Sequence, residues 1–174
     1  MSTDFKKVCK EAKDAIEEAS KVKKKAADDV VQALKEHIKN SEYIKGVSWS
    51  QYVPGFNDGD VCEFTLNDVE VQLVDELDSK LFPKDENDKF EYEDDETEFE
   101  GFHSLDSIEN AIERTTDILN NSEIKPIQKA VKEINDFNSF LGDIEETLEQ
   151  KWGANTRIIV TKKGITTEDY DCGY

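Results

Sequence analysis

Residues 49–64 constrain the fold more than any other segment: Trp49, Gln51, Tyr52, Pro54, Phe56, Asn57, Asp58, Gly59, Asp60, Cys62 and Phe64 follow within sixteen positions. Val47, Trp49 and Gln51 alternate with Ser48, Ser50 and Tyr52, the period of a strand. Pro54-Gly55 and Asn57-Asp58-Gly59 are turn chemistry, because proline presets φ and glycine accepts a positive one. Residues 61–66 then read as a return strand. Asn67-Asp68 reads as a further turn, and Val69, Val71 and Leu73 as a third strand. The three runs predict an antiparallel meander.

Upstream, residues 4–39 predict one long helix. Phe5, Ala12, Ala19, Ala26 and Ala33 recur every seven residues, with Val8, Ile16, Val22, Val30 and His37 near the complementary positions. Alanine at a seam lets a partner helix approach closely. Downstream, Ser104 or Ser107 can cap a second helix with Leu105, Ile108, Ala111, Ile112, Thr115 and Leu119 as its apolar face. Pro126 suits the first turn of a third helix, which Ile127, Val131, Ile134, Phe137, Leu141, Ile144 and Leu148 carry on to Trp152. Gly142 is a weak point within it. Residues 157–161 and 165–170 flank Lys162-Lys163-Gly164 and predict a hairpin. The expectation is one α+β domain over 1–174, of order α-βββ-αα-ββ. In it, a long antiparallel helical pair, with alanines 12, 19, 26 and 33 at its contact, and a third helix stand beside a small antiparallel sheet.

Charge is concentrated. The net charge is −19, yet residues 1–40 carry +2 and residues 57–110 carry −17. Residues 75–103 read as a loop or irregular segment, pinned at intervals by Phe90, Tyr92, Phe99 and Phe102. Such a field repels nucleic acid and anionic membranes and attracts basic protein surfaces. Neither a membrane span nor an apolar leader is expected. The three cysteines, Cys9, Cys62 and Cys172, form no CxxC pair, which fits reduced thiols in a cytosol.

The pattern from Trp49 to Phe64, with Val160, Thr161, Gly164, Ile165, Tyr170 and Asp171 near the end, resembles uncharacterised proteins encoded by large tailed bacteriophages. Those proteins often have proline where this chain has Val61. The resemblance covers residues 43–68 and 156–172. It implies a viral origin and brings no activity; with reduced thiols and no leader expected, the host cytoplasm is the expected location.

Candidate sites follow from the residues. The acidic segment, with Asp85, Glu86, Asp88, Glu91, Glu93, Asp94, Asp95, Glu96, Glu98 and Glu100 interleaved by Tyr92 and Phe99, is the expected contact for a basic partner. Carboxylates so spaced can imitate the phosphates of nucleic acid. The bland reading is a solvated face, which needs far less charge. Gln51, Tyr52, Phe56, Asp58 and Asp60 form a candidate ligand or turn site, against which stands ordinary packing and turn capping. Asp58, Asp60 and Asp171 could hold a divalent cation, but no histidine lies near, and an EF-hand over 85–96 fails because Phe90 stands where glycine is needed. His37 reads as a packed helix residue and His103 as a surface one, so zinc is not expected. No cofactor, catalytic residue or metal is expected, and the oligomeric state is left open. The reading is a non-enzymatic acidic binding protein, an inhibitor of a host or defence protein in its sharpest form. A virion structural or assembly accessory protein is the alternative. An enzyme or small-ligand binder built on residues 49–64 and 169–172 is the lesser one.

Overall fold

The computed structural model describes residues 5–55, 62–83, 101–115 and 121–171. The fold is α+β: helices packed on one face of a small antiparallel sheet. Helix α1 (Phe5–Asn40) leads into strand β1 (Ile44–Tyr52) through Ser41, whose Oγ accepts from the backbone N–H groups of Tyr43 and Ile44. Strand β1 is the spine of the sheet. On one side it pairs with β5 (Thr156–Thr161), which forms the C-terminal hairpin with β6 (Gly164–Asp169). The hairpin closes with Thr161 opposite Gly164, and Gly164 has φ +155°, the positive value its glycine permits.

The other side of β1 holds two short strands end to end. β2 (Thr65–Leu66) pairs with Gln51 and Tyr52, and β3 (Glu70–Leu73) pairs with residues 44–48. The expected meander is therefore corrected. Asn67 and Asp68 do not reverse the chain. They interrupt one interrupted edge, and the Asn67 N–H still reaches the Ser50 carbonyl at 2.9 Å. Asn138 on the neighbouring helix substitutes for the missing ladder bond, its Oδ1 accepting from the Val69 N–H. Strand β4 (His103–Ser104) then adds to β3.

Helix α2 (Asp75–Leu81) occupies the start of the segment expected to be irregular. Leu77 and Leu81, one turn apart, are both buried. Asp75, Glu76 and Asp78 lie in the first turn, where the helix dipole favours negative charge. Charge density masked a short amphipathic signal. Helix α3 (Leu105–Arg114) has Ser104 as its cap, with Oγ accepting from the Ser107 N–H at 3.1 Å, and its expected apolar face is buried as far as Thr115.

The expected third helix is two. Helix α4 (Asn121–Asp143) begins before Pro126, so the proline lies inside it. Helix α5 (Glu145–Trp152) follows a break at Ile144, two residues after Gly142. The core joins the helix face of the sheet, with Val47, Trp49, Val71, Ile158 and Val160, to α1, α3, α4 and α5. Trp49 is wholly buried and meets Phe137 and Trp152 edge-on at 5.7 and 5.8 Å. Helix α1 enters this core through Ala27, Val31, Leu34 and Ile38. Of the alanines expected at the contact, Ala12, Ala19 and Ala33 are exposed and Ala26 is half-buried. The heptad stripe is thus not the face that packs on α4 and α5, because α1 is turned to present the neighbouring aliphatic row.

Candidate acidic interface and the sheet end beside it

The carboxylates singled out from Asp85 to Glu100, with Tyr92 and Phe99, lie outside the described residues. The anchors on either side of them are described. On the N-terminal side α2 ends at Leu81 and Phe82. On the C-terminal side Gly101 and Phe102 lead into β4. These two ends meet. The Phe82 ring stacks on the His103 ring, centroids 3.8 Å apart, and His103 Nε2 lies 2.6 Å from Asp78 Oδ1. His103 is half-buried in this contact, which corrects its expected surface position.

Phe102 turns to the opposite face of the sheet. It is buried, and its ring lies 4.8 Å from the guanidinium carbon of Arg157. Arg157 stands on β5 opposite Ser50, on the face away from the helices. Its side chain is 2 % exposed; Nη2 donates to Ser48 Oγ at 2.8 Å and to Glu70 Oε2 at 3.0 Å. A buried guanidinium costs heavily unless its charge is met, and Glu70 meets it here. The return end of the acidic segment is therefore fastened by one aromatic on each face of the sheet. The pattern of interleaved aromatics signalled Phe102; nothing in the sequence paired Phe82 with His103.

Further carboxylates surround this base. Asp75, Glu76 and Asp106 are exposed beside it. Lys45 pairs with Asp75, and Lys80 donates to Glu76 at 3.1 Å and lies 3.8 Å from Glu123. Its hydrogen bond to Glu76 and the charge of that carboxylate raise the Lys80 pKa above its ordinary value, so this lysine stays charged within the acidic field. A shallow groove of about 270 Å³ runs here over Tyr43, Val74, Leu77 and Ile127, rimmed by Glu42, Glu76 and Glu123. A second, of about 340 Å³, lies between α3 and α4 with Glu109 and Glu113 at its edge. Lys80 also lines the first groove and Lys132 the second, so neither rim is wholly acidic.

The candidate ligand or turn site is divided by the structure. Phe56, Asp58 and Asp60 lie outside the described residues. Gln51 is wholly buried on the helix face, where Nε2 donates to the carbonyls of Leu148 and Gly153 and so ties down the end of α5. Wholly buried there, it serves packing, a correction to its reading as a pocket group. Tyr52 points to the other face and meets Tyr170, ring centroids 5.8 Å apart. Asn67 Nδ2 donates to the Tyr170 hydroxyl at 3.0 Å. Asn155, at φ +55°, accepts from the Tyr170 N–H through its carbonyl and from the Val53 N–H through Oδ1. Tyr52, Val53 and Asn67 thus adjoin Asn155 and Tyr170 at one end of the sheet.

Among the described residues no group of three or more His, Cys, Asp or Glu side chains is placed to hold a metal ion, and no helix is long and apolar enough to cross a membrane. Cys9 is exposed and Cys62 half-buried, both as free thiols. No protein-family model, curated protein or solved structure matches the chain.

Proposed function

We propose that this chain is an acidic, non-enzymatic binding protein, phage-encoded and active in the host cytoplasm, that docks its 85–100 segment on a basic surface of a host or defence protein. In its sharpest form it is an inhibitor that occupies a nucleic-acid site by presenting carboxylates in place of phosphates. The observation that carries this reading is the concentration of charge: −17 within residues 57–110 of a chain whose total is −19. Such a cluster destabilises a fold by self-repulsion, and solubility alone needs far less. The surrounding geometry supports the reading. Phe82 and His103 hold the two ends of the segment together, and exposed carboxylates of α2 and α3 extend its field.

The test is capture on the immobilised full chain from host lysate at low and high salt, followed by binding of the captured protein in purified form. The expected result is one basic, nucleic-acid-binding protein whose affinity falls steeply with salt and which nucleic acid displaces. A partner whose binding is indifferent to salt sinks the reading. A second reading, a virion assembly accessory, is favoured by the uncovered stripe on α1, and co-purification with particles is its test.

A further inference from the structure

Strand β6 ends the sheet, and its outer edge is open. Among the described residues only β5 pairs with it, in an unbroken register from Thr161 opposite Gly164 to Thr156 opposite Asp169. Beyond that register the Tyr170 N–H donates inward to the Asn155 carbonyl. Bonding alternates along an antiparallel ladder, so Gly164, Thr166 and Glu168 also turn their backbone groups to β5. The N–H and C=O groups of Ile165, Thr167 and Asp169 point outward. Every residue from Ile165 to Asp169 is exposed, Ile165 at 39 %.

An open edge is a template for a further strand, and proteins guard such edges with proline, bulges or charges along the strand. Strand β6 has neither proline nor bulge. Its charges are sorted by sign, with Lys162 and Lys163 at the turn and Glu168 and Asp169 at the far end. An edge of one sign throughout would repel its own copy. This edge repels a copy laid parallel and complements a copy laid antiparallel. We infer that β6 pairs with β6 of a second copy, antiparallel about a twofold axis at Thr166, so that one sheet runs through both chains.

Backbone, side chains and charge agree on this register. Ile165 and Thr167 of opposite copies exchange both of their N–H···O bonds, so outward groups meet outward groups. Thr166 faces its own copy across the axis, and Thr167 of the second copy covers Ile165. Such β-branched pairs support a ladder. Lys163 stands opposite Asp169, twice by symmetry, and Glu168 stands opposite Gly164, so no like charges are opposed. Within the chain, among the described residues, Lys163, Glu168 and Asp169 enter no ion pair, whereas Lys162 is held by the Ser41 carbonyl at 3.0 Å. The next register along, with Thr167 on the axis, sets Ile165 against Asp169 and Thr166 against Glu168, and it loses the Lys163–Asp169 pair.

The test uses the full chain, under reducing conditions and at about 0.15 M salt, where repulsion between the acidic bodies is screened beyond about 8 Å. Sedimentation over about 10 to 200 µM, a span that reads micromolar dissociation constants, should approach twice the 19.9 kDa chain mass. A single-chain mass throughout overturns the proposal. Thr167→Pro removes an outward N–H without touching the bonds to β5, and it should return the single-chain mass with an unchanged circular dichroism spectrum. The charge swaps do not depend on how that variant folds. Lys163→Glu alone and Asp169→Lys alone should each weaken association about tenfold, because two opposed pairs become repulsive. An equimolar mixture of the two single variants should associate as the unaltered chain does, since each Lys163→Glu chain then faces an Asp169→Lys chain at both pairs. Within one chain these positions lie at opposite ends of the strand, about 20 Å apart by strand rise, so intrachain contact cannot produce that rescue. A mixture that stays at the single-chain mass, or single swaps that leave the dimer intact, overturns the pairing.

Discussion

The ring of Phe82 lies flat on that of His103, with centroids 3.8 Å apart and planes 6° from parallel. The two residues are twenty-one positions apart, and most of the chain's densest run of carboxylates lies between them. Bringing the ends of such a loop together costs chain entropy, and like charges along it add repulsion. The stack, with Asp78 on His103, offsets that cost at the base. Phe82→Ala and His103→Ala should therefore be coupled. A double-mutant cycle by urea unfolding is expected to give an interaction of about 1 kcal/mol. Additive losses would mean that the contact does not hold the base.

Arg157 should be the most sensitive polar residue of the sheet. It is buried between Ser48, Glu70 and Phe102, and Glu70 remains about one-fifth exposed. Arg157→Met leaves Glu70 without its cation and uncovers the Phe102 contact. The expected destabilisation is about 2–4 kcal/mol by denaturant unfolding. Glu70→Gln added to Arg157→Met should recover part of that loss, because the remaining partner is then uncharged.

Gln51 distinguishes packing from ligand binding. Its amide N–H groups serve the carbonyls of Leu148, within α5, and of Gly153, just beyond its end, and Gln51→Leu would remove both bonds. The expected cost is about 1–3 kcal/mol. Thermal and urea unfolding should show the loss, while capture of a basic partner by the folded variant stays unchanged. A variant of unaltered stability would return Gln51 to the list of candidate site residues.

The sequence revealed elements whose signal is local. The span of α1, the Ser104 cap and the Lys162-Lys163 hairpin follow from periodicity, hydrogen-bonding side chains and a glycine, and they lie within a residue or so of expectation. What stayed hidden depends on partners far along the chain. Asn67-Asp68 has turn composition, but Asn138, seventy positions on, supplies an acceptor and keeps the edge running along β1. Helix α1 carries two usable apolar rows, and its own composition does not say which one meets the core. The break at Ile144 had a warning in Gly142, yet the apolar spacing continues through it. At the candidate site, charge marked the segment, whereas the Phe82–His103 closure and the Arg157 anchor joined residues that no local pattern connects.

The functional reading rests on the carboxylates between those anchors, and neutralising four of them is its direct test. In Glu93→Gln, Asp94→Asn, Asp95→Asn and Glu96→Gln combined, the segment keeps its length and polarity and loses four charges. Charge steering acts mainly on encounter, so association with the captured basic partner should slow while dissociation changes less. An affinity loss of about tenfold or more is expected at low salt, shrinking as salt rises and screening removes the steering from the unaltered protein as well. Unfolding midpoints measured alongside keep a folding defect from being read as lost binding. If the variant binds the same partner with equal affinity and salt slope, the run is a solvated face. The contact must then be sought on the 49–64 hairpin, where Tyr52 meets Tyr170, or along the helices.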